Sequence, residues 1–268
     1  MWDKNNIMNE NIAVSVQATT YPDSVRIYRA NVPMRKGITI APRGSRTKFF
    51  RSDEDNEYIY ETNQERAIRR SRKSIKDYIL CNDFDLFCTF TMGTERYDDE
   101  NSIKRLKNWV KNQRDRNGKF RYIFVTERHK NGALHFHALF GGYNGKLANA
   151  LNPNNGQPVL DSNNLPVYNF EEYTHGFTTV KLILDKGSKT NTARYLQKYV
   201  GKDLTATFGK NRYWASKGLK KPIKEDNPDF FYNGVKPIYS HINDHGEMFE
   251  FVRGQSPEID AYIDAHQP

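Results

Sequence analysis

Two histidines one residue apart, with a carboxylate upstream, are the residues of this chain whose types and spacing could do chemistry. His135 and His137 flank Phe136, and Glu127 lies eight residues before His135 across a turn signal at 130–132. Side chains alternate along a strand, so both imidazoles would share one face. Two neutral imidazoles can hold a divalent metal ion that takes a third, oxygen ligand, for which Glu127 is the candidate. For the pair alone, the alternative of two sheet histidines with ordinary hydrogen-bond partners stays open.

Two tyrosines later in the chain could supply a nucleophile. Tyr195 and Tyr199 are four residues apart and would share one face of a predicted helix, and Lys198 and Lys202 each follow a tyrosine by three residues. A phenol has an unperturbed pKa of about 10, so attack at neutral pH needs a polarised phosphate and a nearby ammonium. The alternative is an amphipathic helix that packs its aromatic residues and leaves its lysines in solvent.

The elements that must position these groups follow the first part of a ferredoxin-like pattern. Aromatic and β-branched residues predict strands at 84–92, 120–126 and 134–140. Apolar residues at helical spacing predict a helix at 99–116. The order strand, helix, strand, strand is that of a split βαβ unit.

The chain beyond the third strand continues the same pattern. We expect a short helix at 146–151, a loop rich in Pro, Asn and Gly at 152–169, a fourth strand at 176–184 and a second long helix at 189–200. The sequence therefore predicts an α+β domain in which helices lie behind an antiparallel sheet.

The regions on either side are basic. Residues 62–79 predict a helix with Thr62 as N-cap and Glu65 in capping-box spacing. Residues 1–60 read as a basic, loosely structured arm, and residues 223–268 as an extension without an assigned role.

The overall charge indicates a polyanionic partner. The 268 residues contain 41 Lys and Arg against 32 Asp and Glu, a formal net charge of +9, which favours nucleic acid. Two cysteines without a CxxC motif argue against a disulfide scaffold and against a cysteine zinc site. We read no signal peptide and no membrane-spanning run, so a cytoplasmic protein without a membrane partner is expected.

Cations and aromatic rings could hold a single strand of DNA along two stretches. The candidates on the first helix carry one sign of charge, and those near residue 210 combine cations with aromatic platforms for bases. They are Arg66, Arg69, Arg70, Lys73, Lys202, Lys210, Arg212, Tyr213, Trp214 and Lys217. For any one of them, a solubilising surface position is the alternative.

In combination, these motifs resemble the HUH endonucleases, in the replication-initiator branch that starts rolling-circle replication. FCTFTM at 87–92 is similar to the first motif, HFH at 135–137 to the second and YLQKY at 195–199 to the third, in the same order. The resemblance extends over about residues 62–221 and includes the stretch RYWASKGLKKP, which ends at residue 222.

The resemblance implies a ferredoxin-like, RRM-like sheet with the histidines on a central strand and helices packed on one face. It implies Mg²⁺ or Mn²⁺ held by His135, His137 and Glu127, and a tyrosine that attacks single-stranded DNA at a replication origin. The products are a 5′-phosphotyrosine link and a 3′-OH primer. Paired tyrosines predict that Tyr195 attacks first and Tyr199 second, with Lys198 beside them.

The same resemblance sets the domain boundaries and the rival functions. The endonuclease domain is expected at 61–222. No GxxxxGK[ST] stretch is present, so a separate helicase and a polymerase, supplied by a bacterial host, would be needed. Relaxases and transposases share the chemistry, although most relaxases place the tyrosine before the histidines. A non-catalytic RRM-like nucleic-acid-binding protein is the rival from another class.

Overall fold

A computed structural model describes the chain over six stretches, namely 12–36, 53–93, 96–184, 196, 212–229 and 234–268. The chain divides into two compact units, one made of Met1–Asp55 with Lys221–Pro268 and the other of Asn56–Lys220. In the described stretches, no helix has both the length and the hydropathy that crossing a membrane requires.

Twelve strands and three helices are formed by the described residues. The strands are β1 (Ile12–Tyr21), β2 (Ser24–Lys36), β3 (Leu86–Met92), β4 (Arg121–Arg128), β5 (Leu134–Gly141), β6 (Leu147–Asn149), β7 (Tyr168–Phe170), β8 (Gly176–Leu182), β9 (Trp214–Ala215), β10 (Ile223–Asp226), β11 (Tyr239–Asn243) and β12 (Gly246–Val252). The helices are α1 (Asp53–Cys81), α2 (Asp99–Asn117) and α3 (Pro257–Ala265).

The unit Asn56–Lys220 is built on a sheet with the strand order β6-β7-β8-β3-β5-β4-β9. Every neighbouring pair in this sheet is antiparallel. Strand β5, which carries both histidines, is an interior strand because β3 and β4 pair with its two sides. The predicted α+β class with an antiparallel sheet is confirmed.

Helices pack on both faces of this sheet, so the expected packing on one face is wrong. On one face, Phe90, Phe136 and Phe140 join a buried cluster with Trp109 of α2. On the other face, Ile123, Val125 and Leu139 form a buried cluster with Ile68, Ile75 and Ile79 of α1 and with Leu196. Interior strands carry apolar side chains toward both sides, and each apolar face needs its own cover.

Two predicted helices differ from the observed elements. Helix α1 begins at Asp53, so Thr62 lies inside the helix and is not its N-cap. Residues 147–149 form strand β6 where a short helix was expected, because they pair with β7 across the intervening loop. Pairing over such a distance is not visible in local spacing. Of the predicted helix at 189–200, only Leu196 lies within the described residues, and it is helical.

The other unit corrects the expectation of a loosely structured arm. Strands β1 and β2 form a long hairpin within the sheet β10-β1-β2-β12-β11. The hairpin buries Ala18, Val25 and Ile27 against Phe251 of β12 and against Ile259 and Ile263 of α3. The strands that complete its sheet lie about two hundred residues further on in sequence, so the local sequence did not reveal it.

Candidate metal and DNA site

The register of three strands brings the candidate ligands into rows on one face of the sheet. Glu127 of β4 is directly opposite His135 of β5, which in turn is opposite Thr91 of β3. In the next row, His137 lies between Val125 and Thr89. The histidine face, as we call the face that bears His135 and His137, therefore has the carboxylate on one side and hydroxyls on the other.

The turn between β4 and β5 fixes this register. Gly132 has a φ of 85°, in the left-handed region that favours glycine. Its amide donates to the carbonyl oxygen of His129 at 2.8 Å, and Arg128 donates to the Gly132 carbonyl oxygen at 2.8 Å. The hairpin therefore closes at one register, which places Glu127 and His135 on the same side.

Glu127 makes its closest histidine contact along the diagonal. Glu127 Oε2 is 2.8 Å from His137 Nε2, and the two side chains are only 14% and 8% exposed. On its other side, the His137 ring places Nδ1 3.2 Å from Thr89 Oγ1. A hydroxyl can donate or accept, so Thr89 can satisfy either tautomer of His137 while it fixes the ring.

His135 repeats this arrangement nearer to solvent. Its Nδ1 is 3.2 Å from Thr91 Oγ1, and its ring stacks on that of His129 with the centroids 4.3 Å apart. Burial lowers the pKa of His135 below its ordinary value, and the neighbouring imidazoles of His129 and His137 lower it further, whereas Glu127 raises it. The neutral form, which can bind a metal, is therefore favoured.

The donor chemistry at this place fits a divalent cation, although the described residues contain no assembled group of three or more His, Cys, Asp or Glu ligands. Both Nδ1 atoms face threonine hydroxyls, and such outer partners orient the other nitrogen toward a metal. Adjacent ligands on an octahedral ion with bonds of ~2.1 Å are about 3 Å apart. The His137–Glu127 separation of 2.8 Å is close to that spacing.

The predicted nucleophiles lie outside the described residues. These are Tyr195 and Tyr199. Three lysines predicted to assist them or to bind DNA also lie outside the described residues, namely Lys198, Lys202 and Lys210. Leu196, which follows Tyr195 in sequence, is described and fully buried in the cluster that contains Val125 and Leu139. Val125 and Leu139 lie on the histidine face, because side chains alternate along their strands.

Strand β8 leaves part of the histidine face open. Phe177 is opposite Thr91 and is 76% exposed, and the exposed Thr179 and Lys181 follow at alternate positions. Phe177, Thr91, His135 and Glu127 thus form one row across four strands. Strands are spaced by about 4.8 Å, so Phe177 lies roughly 10 Å from His135.

The predicted DNA-binding cations of α1 are on its surface. Arg66, Arg69, Arg70 and Lys73 are all exposed or partly exposed, while Ile68 and Ile75 of the same helix are buried. Lys73 also forms an i,i+4 ion pair with Asp77, with 3.7 Å between the charged atoms. The charge run is the solvent face of a helix whose apolar side packs on the sheet.

The DNA-binding candidates at 212–217 do not lie on one common surface. Arg212 contacts Gln64, and Tyr213 packs edge-on against Tyr78 with the ring centroids 6.4 Å apart. Trp214 stacks on Phe124, which lies on the opposite face of the sheet from the histidines. Lys217 is exposed.

Several residues of the site were missed by the sequence reasoning. Thr89 and Thr91 orient the histidines, His129 stacks on His135, and Phe177 offers an open ring. The alternation of Phe87, Thr89 and Thr91 was visible in the sequence, but the pairing of β3 with β5 was not. His129 is only two residues from Glu127, a spacing that could have indicated it.

Comparisons with known proteins include a match to a family of replication proteins. Residues 85–204 match the family model of the replication-associated protein ORF2. This range is less than half of the 268 residues and covers β3 through the region of the predicted tyrosines. Neither the curated proteins nor the solved structures contain a significant match. The family match is consistent with a replication initiator.

We predict that the pKa of His135 is below that of a histidine in an unfolded peptide. The reason is burial, supplemented by His129 and His137. Since the folded state then binds fewer protons than the unfolded state, this group makes stability rise with pH through a window that ends at about 6.5. The measurement is an NMR titration of the imidazole signals.

His129→Ala should raise the pKa of His135 only part of the way to the ordinary value of a histidine, because His135 remains partly buried. A pKa of His135 at or above that of a free histidine would contradict this description of the site.

Proposed function

We propose that the protein is a rolling-circle replication initiator that nicks and rejoins single-stranded DNA at an origin. The observation that carries the proposal is the pair of histidines, each with Nδ1 beside a threonine hydroxyl, next to a carboxylate on a partly open sheet face. The family match over residues 85–204 supports the same function. The ferredoxin-like, HUH-type arrangement of the sheet is part of the proposal.

The ligands of a Mg²⁺ or Mn²⁺ ion would be His135, His137 and Glu127. When bound, the ion would polarise the scissile phosphate and stabilise the charge that develops on it. Thr89 and Thr91 hold the rings through Nδ1, so that Nε2 of each is presented for coordination.

Tyr195 is proposed as the first nucleophile and Tyr199 as the second. The phenol loses its proton as its oxygen forms a bond to phosphorus, the bond from phosphorus to the 3′ oxygen breaks, and that oxygen takes up a proton, so no proton is gained or lost overall. The products are a 5′-phosphotyrosine and a 3′-OH that primes synthesis, and the reverse attack rejoins the strand. Lys198 is proposed to orient either the phosphate or the phenol. Leu196 is buried against the histidine face, and this supports the proposal that the segment around it acts near that face.

The single strand is proposed to cross the open part of the histidine face along β8. Phe177 supplies a ring for a base, and the Lys181 ammonium lies four residues further along the strand, on the same face. The cations of α1 and those near residue 212 would add backbone contacts. A separate helicase and a polymerase complete replication in the host cytoplasm.

An exposed aromatic ring on a sheet face also favours a second candidate, a non-catalytic RRM-like nucleic-acid-binding protein. That protein would bind nucleic acid in the presence of EDTA and would never form a covalent adduct. Relaxases and transposases of the same chemistry differ in their substrates, which sequencing of the joined products would reveal.

Cleavage of single-stranded DNA from the protein's own replicon is the direct test. His135→Ala and His137→Ala should each lower metal-dependent nicking by on the order of 100-fold or more, because several kcal/mol of charge stabilisation are lost. His241→Ala, at an exposed histidine of β11, is the matched control and should leave nicking unchanged. Tyr195→Phe and Tyr199→Phe, assayed for the covalent adduct, then assign the nucleophiles.

Nicking that persists in EDTA, or that both histidine variants retain, would refute the proposal. Adduct formation and joining that are intact in one tyrosine variant would remove that tyrosine from the mechanism.

Phe177→Ala should weaken binding of single-stranded DNA by on the order of 10-fold, because stacking of one base contributes roughly 1–3 kcal/mol. Phe177→Tyr keeps the ring and should bind normally, whereas Phe177→Leu keeps only the apolar surface and should resemble the alanine variant. Fluorescence anisotropy with a labelled oligonucleotide provides the measurement. Equal binding by the Leu and wild-type proteins would show that no base stacks there.

A further inference from the structure

Helix α2 carries a stripe of positive charge on the face of the sheet opposite the histidines. Lys104, Lys107, Lys111 and Arg114 follow one another at intervals of three or four residues and therefore lie on one side of the helix. The lysines are exposed and Arg114 is partly buried. None of these four residues is among the DNA-binding candidates named from the sequence.

The stripe borders an open groove of about 530 Å³ whose lining is mostly cationic. Lys107, Lys111, Arg114 and Lys119 line it together with Tyr122, and Asp115 is the one carboxylate among these described lining residues. Within the described part of the chain, none of these four cations takes part in an ion pair. On another side of α2, by contrast, Arg116 is neutralised by Glu172 at 3.1 Å.

The aromatic rings beside the stripe are already occupied by its cations. The Lys107 ammonium lies 4.8 Å from the centroid of the Trp214 ring, and the Arg114 guanidinium lies 5.7 Å from that of Tyr122. Trp214 also stacks on Phe124 with 5.0 Å between the centroids. The groove therefore presents cations that lie over aromatic rings. A site for single-stranded DNA would instead leave the ring faces open for bases to stack on.

We propose that this groove binds the phosphate backbone of duplex DNA. A rigid helix with cations at fixed intervals suits a ligand whose phosphates are regularly spaced, and counterion release would supply the affinity. The occupant would be the duplex that flanks the cleaved strand, so the inference rests on the proposed function for its choice of DNA. The duplex would then be held on one face of the sheet and the reacting strand on the other.

A matched pair of double variants tests this inference. Lys107→Gln with Lys111→Gln removes two exposed lysines from the stripe, and Lys224→Gln with Lys236→Gln removes two exposed lysines from the other unit. Binding to a short labelled duplex and, separately, to a labelled single strand is followed by anisotropy between about 50 and 200 mM salt. Circular dichroism checks that each variant is folded.

The stripe variant should bind the duplex on the order of 10-fold more weakly, with the slope of log affinity against log salt reduced by about 2. The control variant should match wild type, and the stripe variant should nick a short single strand at the normal rate. Equal losses in both variants, an unchanged duplex affinity, or an equal loss of single-strand affinity would each overturn the inference. If the stripe variant alone loses duplex binding while the wild-type protein never nicks single-stranded DNA, the proposed function is refuted and the groove stands as a duplex-binding site without a cleaved strand beside it.

Discussion

The contact between Glu127 and His137 is the interaction on which the proposed site depends. It joins a carboxylate and an imidazole that are both largely shielded from water, at 2.8 Å. It exists because Glu127 is opposite His135 and therefore diagonal to His137. A shift of the hairpin register by one residue would move the histidines to the other face, away from both the carboxylate and the threonines. Gly132 and Arg128, which fix the turn, are thus as necessary to the site as its ligands.

The same alternation divides the sheet between chemistry and packing. On β5, His135 and His137 point to one side while Phe136, Ala138 and Phe140 are fully buried on the other. The aromatic cluster around Trp109 anchors α2 against the strands, so the histidine strand is held from behind. Helix α1 covers only part of the histidine face, since Phe177, Thr179 and Lys181 of β8 stay exposed. This open surface lies beside the buried polar pair, as the proposed binding of single-stranded DNA next to the metal ligands would require.

The sequence predicted the parts of this arrangement that depend on local spacing. The strands that carry Glu127 and the histidines and helix α2 were predicted nearly to their ends, because periodicity and turn residues mark them. The partners across strands were not predictable, since register is a long-range property; Thr89, Thr91 and Phe177 entered the site only through pairing. For the same reason the β1–β2 hairpin was missed. Trp214 was expected among the residues that bind single-stranded DNA, although its ring packs on Phe124. The roles of Tyr195, Tyr199 and Lys198 stay predictions.

The proposed function requires the histidine pair to coordinate a divalent ion, and electron paramagnetic resonance of bound Mn²⁺ reports on its ligands. We predict hyperfine coupling to two imidazole nitrogens in the wild-type protein, and to one after His135→Ala or His137→Ala. Glu127→Gln should weaken Mn²⁺ binding without removing a nitrogen coupling. Mn²⁺ that binds without any nitrogen coupling, or with a coupling that survives loss of both histidines, would show that this pair does not hold the ion.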